Sequence, residues 1–187
     1  MIANLRSALF PFLSAALFAV SLLFAIPAQA NGVTLAAELG PQIVLTNYQP
    51  EDPDESNKIT RVGLGVAARL GYTFEAAIVD FTPEFKLGFQ SPGTPRSFSA
   101  MGGLRVNFFE GVSPALFAHA GGLVGDLSGF VWDIGAGLDF AIVDAFDLGI
   151  FALYAQTGKA TFSGDRVSYD SNNWQWMQAG VQGAVHF

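Results

Sequence analysis

The chain has 187 residues, a formal net charge of −7, two histidines and no cysteine. Without cysteine there is no disulfide framework and no thiolate chemistry, and an acidic chain with few cations is a poor nucleic-acid binder. The fold must therefore hold itself together by strand pairing and packing, in water or in lipid.

The first thirty residues, "MIANLRSALFPFLSAALFAVSLLFAIPAQA", carry one early cation, Arg6, an apolar stretch from about Ala8 to Ile26, then Pro27 and the small-x-small Ala28-Gln29-Ala30. This pattern predicts a secretory signal peptide over 1–30, cleaved before Asn31. A retained membrane helix is the alternative, because ~18 apolar residues begin to be enough to span a bilayer. No cysteine follows to carry a lipid, which excludes a lipoprotein. Residues 31–187 then form a single domain, with 16 acidic and 8 basic residues once Arg6 is removed.

From Asn31 onward the hydrophobic period is two, the period that puts alternate residues on opposite faces of a β-strand. Near 33–46, Glu38 and Gln42 oppose Leu35, Leu39 and Ile43. In "RVGLGVAARLGY" (61–72) the even positions are apolar, while Arg61 and Arg69 share the other face with glycine and alanine. In "IVDFTPEFKLGF" (78–89) Asp80, Thr82, Glu84 and Lys86 oppose Val79, Phe81, Phe85, Leu87 and Phe89. Near 98–109 Arg105 and Asn107 oppose Leu104, Val106 and Phe108, and near 114–124 His119 opposes Leu116 and Ala118 less sharply. Near 129–141 Asp133 and Asp139 oppose Phe130, Trp132, Ile134, Leu138 and Phe140, whereas the strand near 146–157 is apolar on both faces. The strand at 174–187, "WQWMQAGVQGAVHF", completes a set of eight and ends on Phe187.

The breaks alternate in kind. "TFEA" (73–76), "EGVS" (110–113) and "VDAF" (142–145) have hairpin-turn length. Between them fall 47–59, 91–97, 126–128 and 159–173, polar and mostly longer. Tight turns at one end and larger loops at the other, with an even number of strands, bring both termini to the turn end.

On the terminal Phe187, the outward alternation behind it, the eight strands and the turn–loop asymmetry, residues 31–187 resemble the small eight-stranded outer-membrane barrels, the OmpA-type transmembrane domain and the OmpX-like proteins. The resemblance implies an all-β, eight-stranded antiparallel up-and-down transmembrane barrel in the outer membrane of a Gram-negative bacterium. It also implies that Phe187 is an assembly signal read by the barrel-insertion machinery; Val185 stands where family members often carry another aromatic residue. The physics agrees: lipid offers the backbone no hydrogen-bond partner, so a sheet crosses only when closed, and ~10 tilted residues rising ~3.3 Å each span about 25 Å. Phe89, Phe98, Phe130, Trp132 and Tyr154 would then form an aromatic girdle at the loop end, and Tyr72, Phe108, Phe140 and Phe187 one at the turn end. With the faces reversed the same pattern would give a soluble, lipocalin-like periplasmic barrel around an apolar ligand. The abundance of Gly and Ala on the mixed face (Gly63, Gly65, Ala67, Gly71, Gly135, Gly137) suits a narrow interior better than a wetted surface.

The mixed face would place Glu38, Arg61, Arg69, Asp80, Glu84, Lys86, Arg105, His119, Asp133, Asp139 and His186 in the lumen. Buried charges must be paired or hydrated, so a structural polar network filling the barrel is expected, with a gated ion path as the sharper reading. Trp174 and Trp176 fall on the inward parity; a bulge near 176 or 177 is expected to return them to the interface, the alternative being that they cap the lumen at the loop end.

No catalytic residues, cofactor or metal are expected. Lipid A deacylase barrels resemble one another in an outward His and Ser spaced two apart, but Gly121 stands two positions after His119 and no residue stands two positions after His186, leaving only a chain-distant partner open for a lipid-modifying enzyme. The run "EDPDES" lacks the glycine and terminal glutamate of a calcium loop. Expected partners are outer-membrane lipid, the insertion machinery, and a surface ligand at the loops 47–59 and 159–173. With Phe187 last, no peptidoglycan-binding domain is expected to follow.

Overall fold

The computed structural model of the protein describes residues 30–45, 62–76, 79–92, 95–109, 111–143, 145–163 and 168–187. They form β1 (Ala30–Val44), β2 (Val62–Ala76), β3 (Val79–Ser91), β4 (Ser97–Phe108), β5 (Val112–Gly125), β6 (Leu127–Val143), β7 (Phe146–Ser163), β8 (Ser168–Asn172) and β9 (Gln175–His186). Every strand pairs antiparallel with its neighbours, and β1 also pairs with β9, which closes the sheet. β8 and β9 keep one register against β7, Lys159 opposite Asn172 and Gln156 opposite Gln175, across Asn173 at φ 70°. They are two lengths of one stave, so the barrel has eight. Among the described residues no helix is long and apolar enough to cross a membrane.

The period of two sorts the side chains cleanly. Along β2, Leu64, Val66 and Leu70 are exposed on the outer wall, while Gly65, Ala67 and Arg69 are buried inside. The same holds for Leu35 and Ile43 against Glu38 and Gln42, and for Phe85 and Leu87 against Glu84 and Lys86. The apolar face is outward, the reverse of what a soluble barrel with an apolar cavity requires. A closed sheet with charges inside and a continuous apolar exterior satisfies its backbone internally and offers hydrocarbon to its surroundings, which is the physical specification of a membrane-spanning barrel.

Prolines interrupt the ladders without opening an edge. Pairing of β1 with β9 lapses at Gly40 and Pro41, where Gly40 and Gly180 bring the two backbones so close that a Cβ on Gly40 would stand 2.2 Å from the Ala179 oxygen. Pairing of β2 with β3 lapses opposite Pro83, and there the Thr73 and Thr82 hydroxyls bond each other at 2.9 Å.

Several expected boundaries move. β2 runs on to Ala76, so Thr73 and Glu75 belong to the strand and the turn lies beyond it. Only Asp126 separates β5 from β6, its backbone N–H donating to Arg96 O at 2.9 Å, so this loop is as tight as any turn. The segment 159–173 is largely a hairpin, with Lys159–Ser163 paired to Ser168–Asn172 beyond the end of β9. The loop 47–59, Arg61 and the expected signal peptide through residue 29 lie outside the described residues.

Candidate functional site

The centre of the lumen is a closed ring of alternating charge. Glu38 on β1 meets Arg69 Nε at 2.9 Å and Lys86 Nζ at 3.0 Å. Arg69 on β2 donates from Nη1 to Glu84 Oε2 at 2.8 Å. Glu84 on β3 meets His119 Nε2 at 2.7 Å, and His119 Nδ1 on β5 meets Asp133 Oδ1 at 2.6 Å. Asp133 on β6 accepts from Lys86 Nζ at 3.2 Å, which returns the circuit to β3 and Glu38. All six side chains are buried. The two contacts on Glu38 satisfy charge without the angles of good hydrogen bonds, so Glu38 is the ring's loosest junction. Each member holds two partners of opposite sign, the arrangement that offsets the desolvation of buried charge.

Gln182 joins the ring to a second cluster nearer the turns. Arg69 Nη2 donates to Gln182 Oε1 at 3.2 Å, and Gln182 Nε2 donates to Asp139. Asp139 also accepts from Arg105 Nη2 and, at 3.0 Å, from Asn107 Nδ2. At the mouth itself the Thr34 hydroxyl bonds Thr73 at 2.9 Å and His186 Nδ1 at 3.2 Å, while His186 Nε2 meets Asp147 at 2.9 Å. The lumen is thus polar from the ring down to the turn end.

Toward the loops it changes character. Around and above Gln42, Gln90, Gln178 and Ser99, which bond one another, lie Val44, Met101, Leu123, Leu127, Val131, Leu153, Trp174 and Trp176, all buried. This apolar lid corrects the expectation of a bulge. β9 keeps an unbroken parity against β7 and pairs Val44 with Trp176 on β1, and both indoles point inward, each 1% exposed. Neither indole Nε1 has a hydrogen-bond partner. The tendency of tryptophan to seek an interface loses here to the space at the loop end of the lumen, which two indoles fill.

Of the residues expected in the lumen, Glu38, Arg69, Glu84, Lys86, His119 and Asp133 form the ring, and Arg105 and Asp139 the second cluster. His186 sits half-buried at the mouth, and Asp80 stands at the turn end of β3 opposite Asn107. Phe117, unremarked in the sequence, is buried beside His119 with Arg105 5.4 Å and Lys86 6.0 Å from its ring centre. Its parity with His119 was the available signal. The inward glycines make the room: a Cβ on Gly135 would stand 2.5 Å from the Phe117 ring, and one on Gly103 would stand 2.3 Å from the imidazole of His119.

Outside, Phe89 and Phe98 face each other across β3 and β4 with ring centres 5.4 Å apart, and Trp132 lies 5.6 Å from Tyr154, whose hydroxyl donates to Gln156. Phe130 is exposed toward the loops, and Phe140 and Phe187 toward the turns. Phe187 joins the wall through Val33, donating to its oxygen at 3.0 Å and accepting from its N–H at 3.2 Å.

No protein-family model and no curated protein sequence matches the chain. Among solved structures it is similar to Neisserial surface protein A (NspA), at 14% identity and TM-score 0.54 over 84% of this chain and 99% of that one. The N-terminal β-barrel domain of Pseudomonas aeruginosa OprF aligns at 13% identity over 85% and 100%, with TM-score 0.46. The outer membrane enzyme PagL aligns at 17% over 81% and 98%, with TM-score 0.42. Closed pairing, an apolar exterior and this likeness agree: the chain has the fold of the small eight-stranded outer-membrane β-barrels.

Proposed function

We propose that this is an integral outer-membrane protein, exported by its N-terminal signal, with a structural or surface-interaction role in envelope integrity or adhesion and no open pore. The observation that carries this reading is the filled lumen. The ion ring crosses its middle, and the gap beside Trp176, Gln90 and Asp133 is too small for a water-sized sphere. A closed interior leaves the ends of the barrel to act. At the loop end the β7–β8 hairpin projects past β9, and this hairpin and the acidic segment 47–59 are the proposed surface for a partner. Phe187, exposed at the turn end, is the proposed contact for the insertion machinery. No catalytic role is proposed: both nitrogens of the buried His119 are held by carboxylates, away from the lipid where an acyl ester would lie.

The test is to replace 160–171 with a short turn, and separately 47–59 with a Gly-Ser linker, in cells expressing the protein. Recovery in the outer-membrane fraction with heat-dependent gel mobility, together with loss of adhesion or increased detergent sensitivity, is the expected result. Steady ion conductance of the intact barrel in a planar bilayer, or recovery in the soluble periplasm, would overturn the reading.

A further inference from the structure

His119 is the one member of the ring whose charge is not fixed by its chemistry. Glu38, Glu84 and Asp133 bring three negative charges, and Arg69 and Lys86 bring two positive ones, so the ring is neutral only when His119 is an imidazolium. The geometry demands the same state by donor count. A neutral imidazole has one N–H, yet both ring nitrogens lie within 2.7 Å of carboxylate oxygens. With one proton removed, a lone pair would face a lone pair, and one buried negative charge would be left without a counter-charge.

Every element around His119 contributes to this dependence. Glu84 and Lys86 face it from β3 and Asp133 from β6. Arg69 on β2 acts through Glu84 and Glu38 on β1 through Lys86, while Arg105 on β4 lies across the Phe117 ring, with Asp139 of β6 behind it. The two ends of the lumen answer such an uncompensated charge differently. On the loop side the Gln42–Gln90–Gln178–Ser99 layer is sealed from the loops by Leu123, Val131 and the indoles. On the turn side Gln182, Asp139, Asn107 and the Thr34–Thr73–Thr82 hydroxyls lead to the mouth.

We propose that His119 is a proton-dependent latch of the lumen: doubly protonated it closes the ring, and loss of a proton opens the ring and hydrates the lumen from the turn end. The inference concerns the interior and stands whatever the loops bind. Imidazole is the ring's one side chain whose ordinary titration lies near neutral pH, so pH is the variable that tests the latch.

The experiment uses the full mature barrel folded in detergent micelles, with the thermal midpoint read from heat-dependent gel mobility between about pH 5 and about pH 9. The midpoint is expected to fall by several degrees as pH rises. His119→Gln, which cannot titrate, is expected to remove that slope, and His186→Gln, at the mouth beside Asp147, to keep it. A flat wild-type profile, or a slope that survives His119→Gln, overturns the proposal. Should His119→Gln fail to fold, nitrogen-15 NMR of the wild-type ring decides: two protonated nitrogens at about pH 7 support the latch, and a neutral tautomer refutes it.

Discussion

The two halves of the lumen are closed by opposite physics. In the middle and toward the turns the interior is an assembly of buried charges in which every member depends on its neighbours. At the loop end it is an apolar lid in which Trp174 and Trp176 leave their indole N–H groups unpartnered. The ring gains specificity of partner and position at a large desolvation cost, and deleting one member leaves the rest of that cost uncompensated. The lid gains by removing apolar area from water and tolerates a change of side chain of similar volume. The difference predicts that substitutions of equal size will have unequal effects in the two regions.

The largest effect is expected for Lys86→Met. It keeps the volume but leaves Glu38 and Asp133 without their shared cation, and denaturant unfolding of the barrel in micelles should show a loss of roughly 3–5 kcal/mol. Gly135→Val comes next, because its side chain meets the Phe117 ring and the Ala152 oxygen, an overpacking cost of about 1–3 kcal/mol in the same measurement. Trp176→Phe is expected to cost about 1 kcal/mol or less, since the lost area is partly offset by removal of a buried donor that has no acceptor. A reversal of this order, with the lid more sensitive than the ring, would mean that apolar packing rather than charge pairing holds the lumen shut.

The facing of the strands was legible because charge and apolar bulk alternate without a break along β2 and β3, as in Arg69 against Leu70 and Lys86 against Leu87. That alternation placed the ring residues on one face before any pairing was known. Which charge meets which was not legible. Glu84 and His119, or Lys86 and Asp133, lie on staves that do not pair, and only the curvature and register of the closed sheet bring them together across the lumen. Phe117 was hidden inside the apolar run Leu116–Phe117–Ala118, where only His119 two positions on marks the inward face. The tryptophans were misplaced because a preference of residue type was set against a parity that turned out to be unbroken. The hairpin past β9 was read as loop because a strand above the membrane has no apolar face to maintain, and its Ser, Asp and Asn residues resemble turn chemistry.

The central claim is that alternate residues of each stave face lipid and a closed, charged interior, and the absence of cysteine makes it directly measurable. Single cysteines placed in turn from Val62 to Leu70 of β2, carrying a nitroxide label in a reconstituted bilayer, report oxygen and nickel-chelate access at each site. The account predicts a period of two, with positions 62, 64, 66, 68 and 70 open to oxygen dissolved in the bilayer and closed to the chelate, and positions 63, 65, 67 and 69 shielded from both. Chelate access at the even positions would contradict it, because the face assigned to lipid would then be facing water.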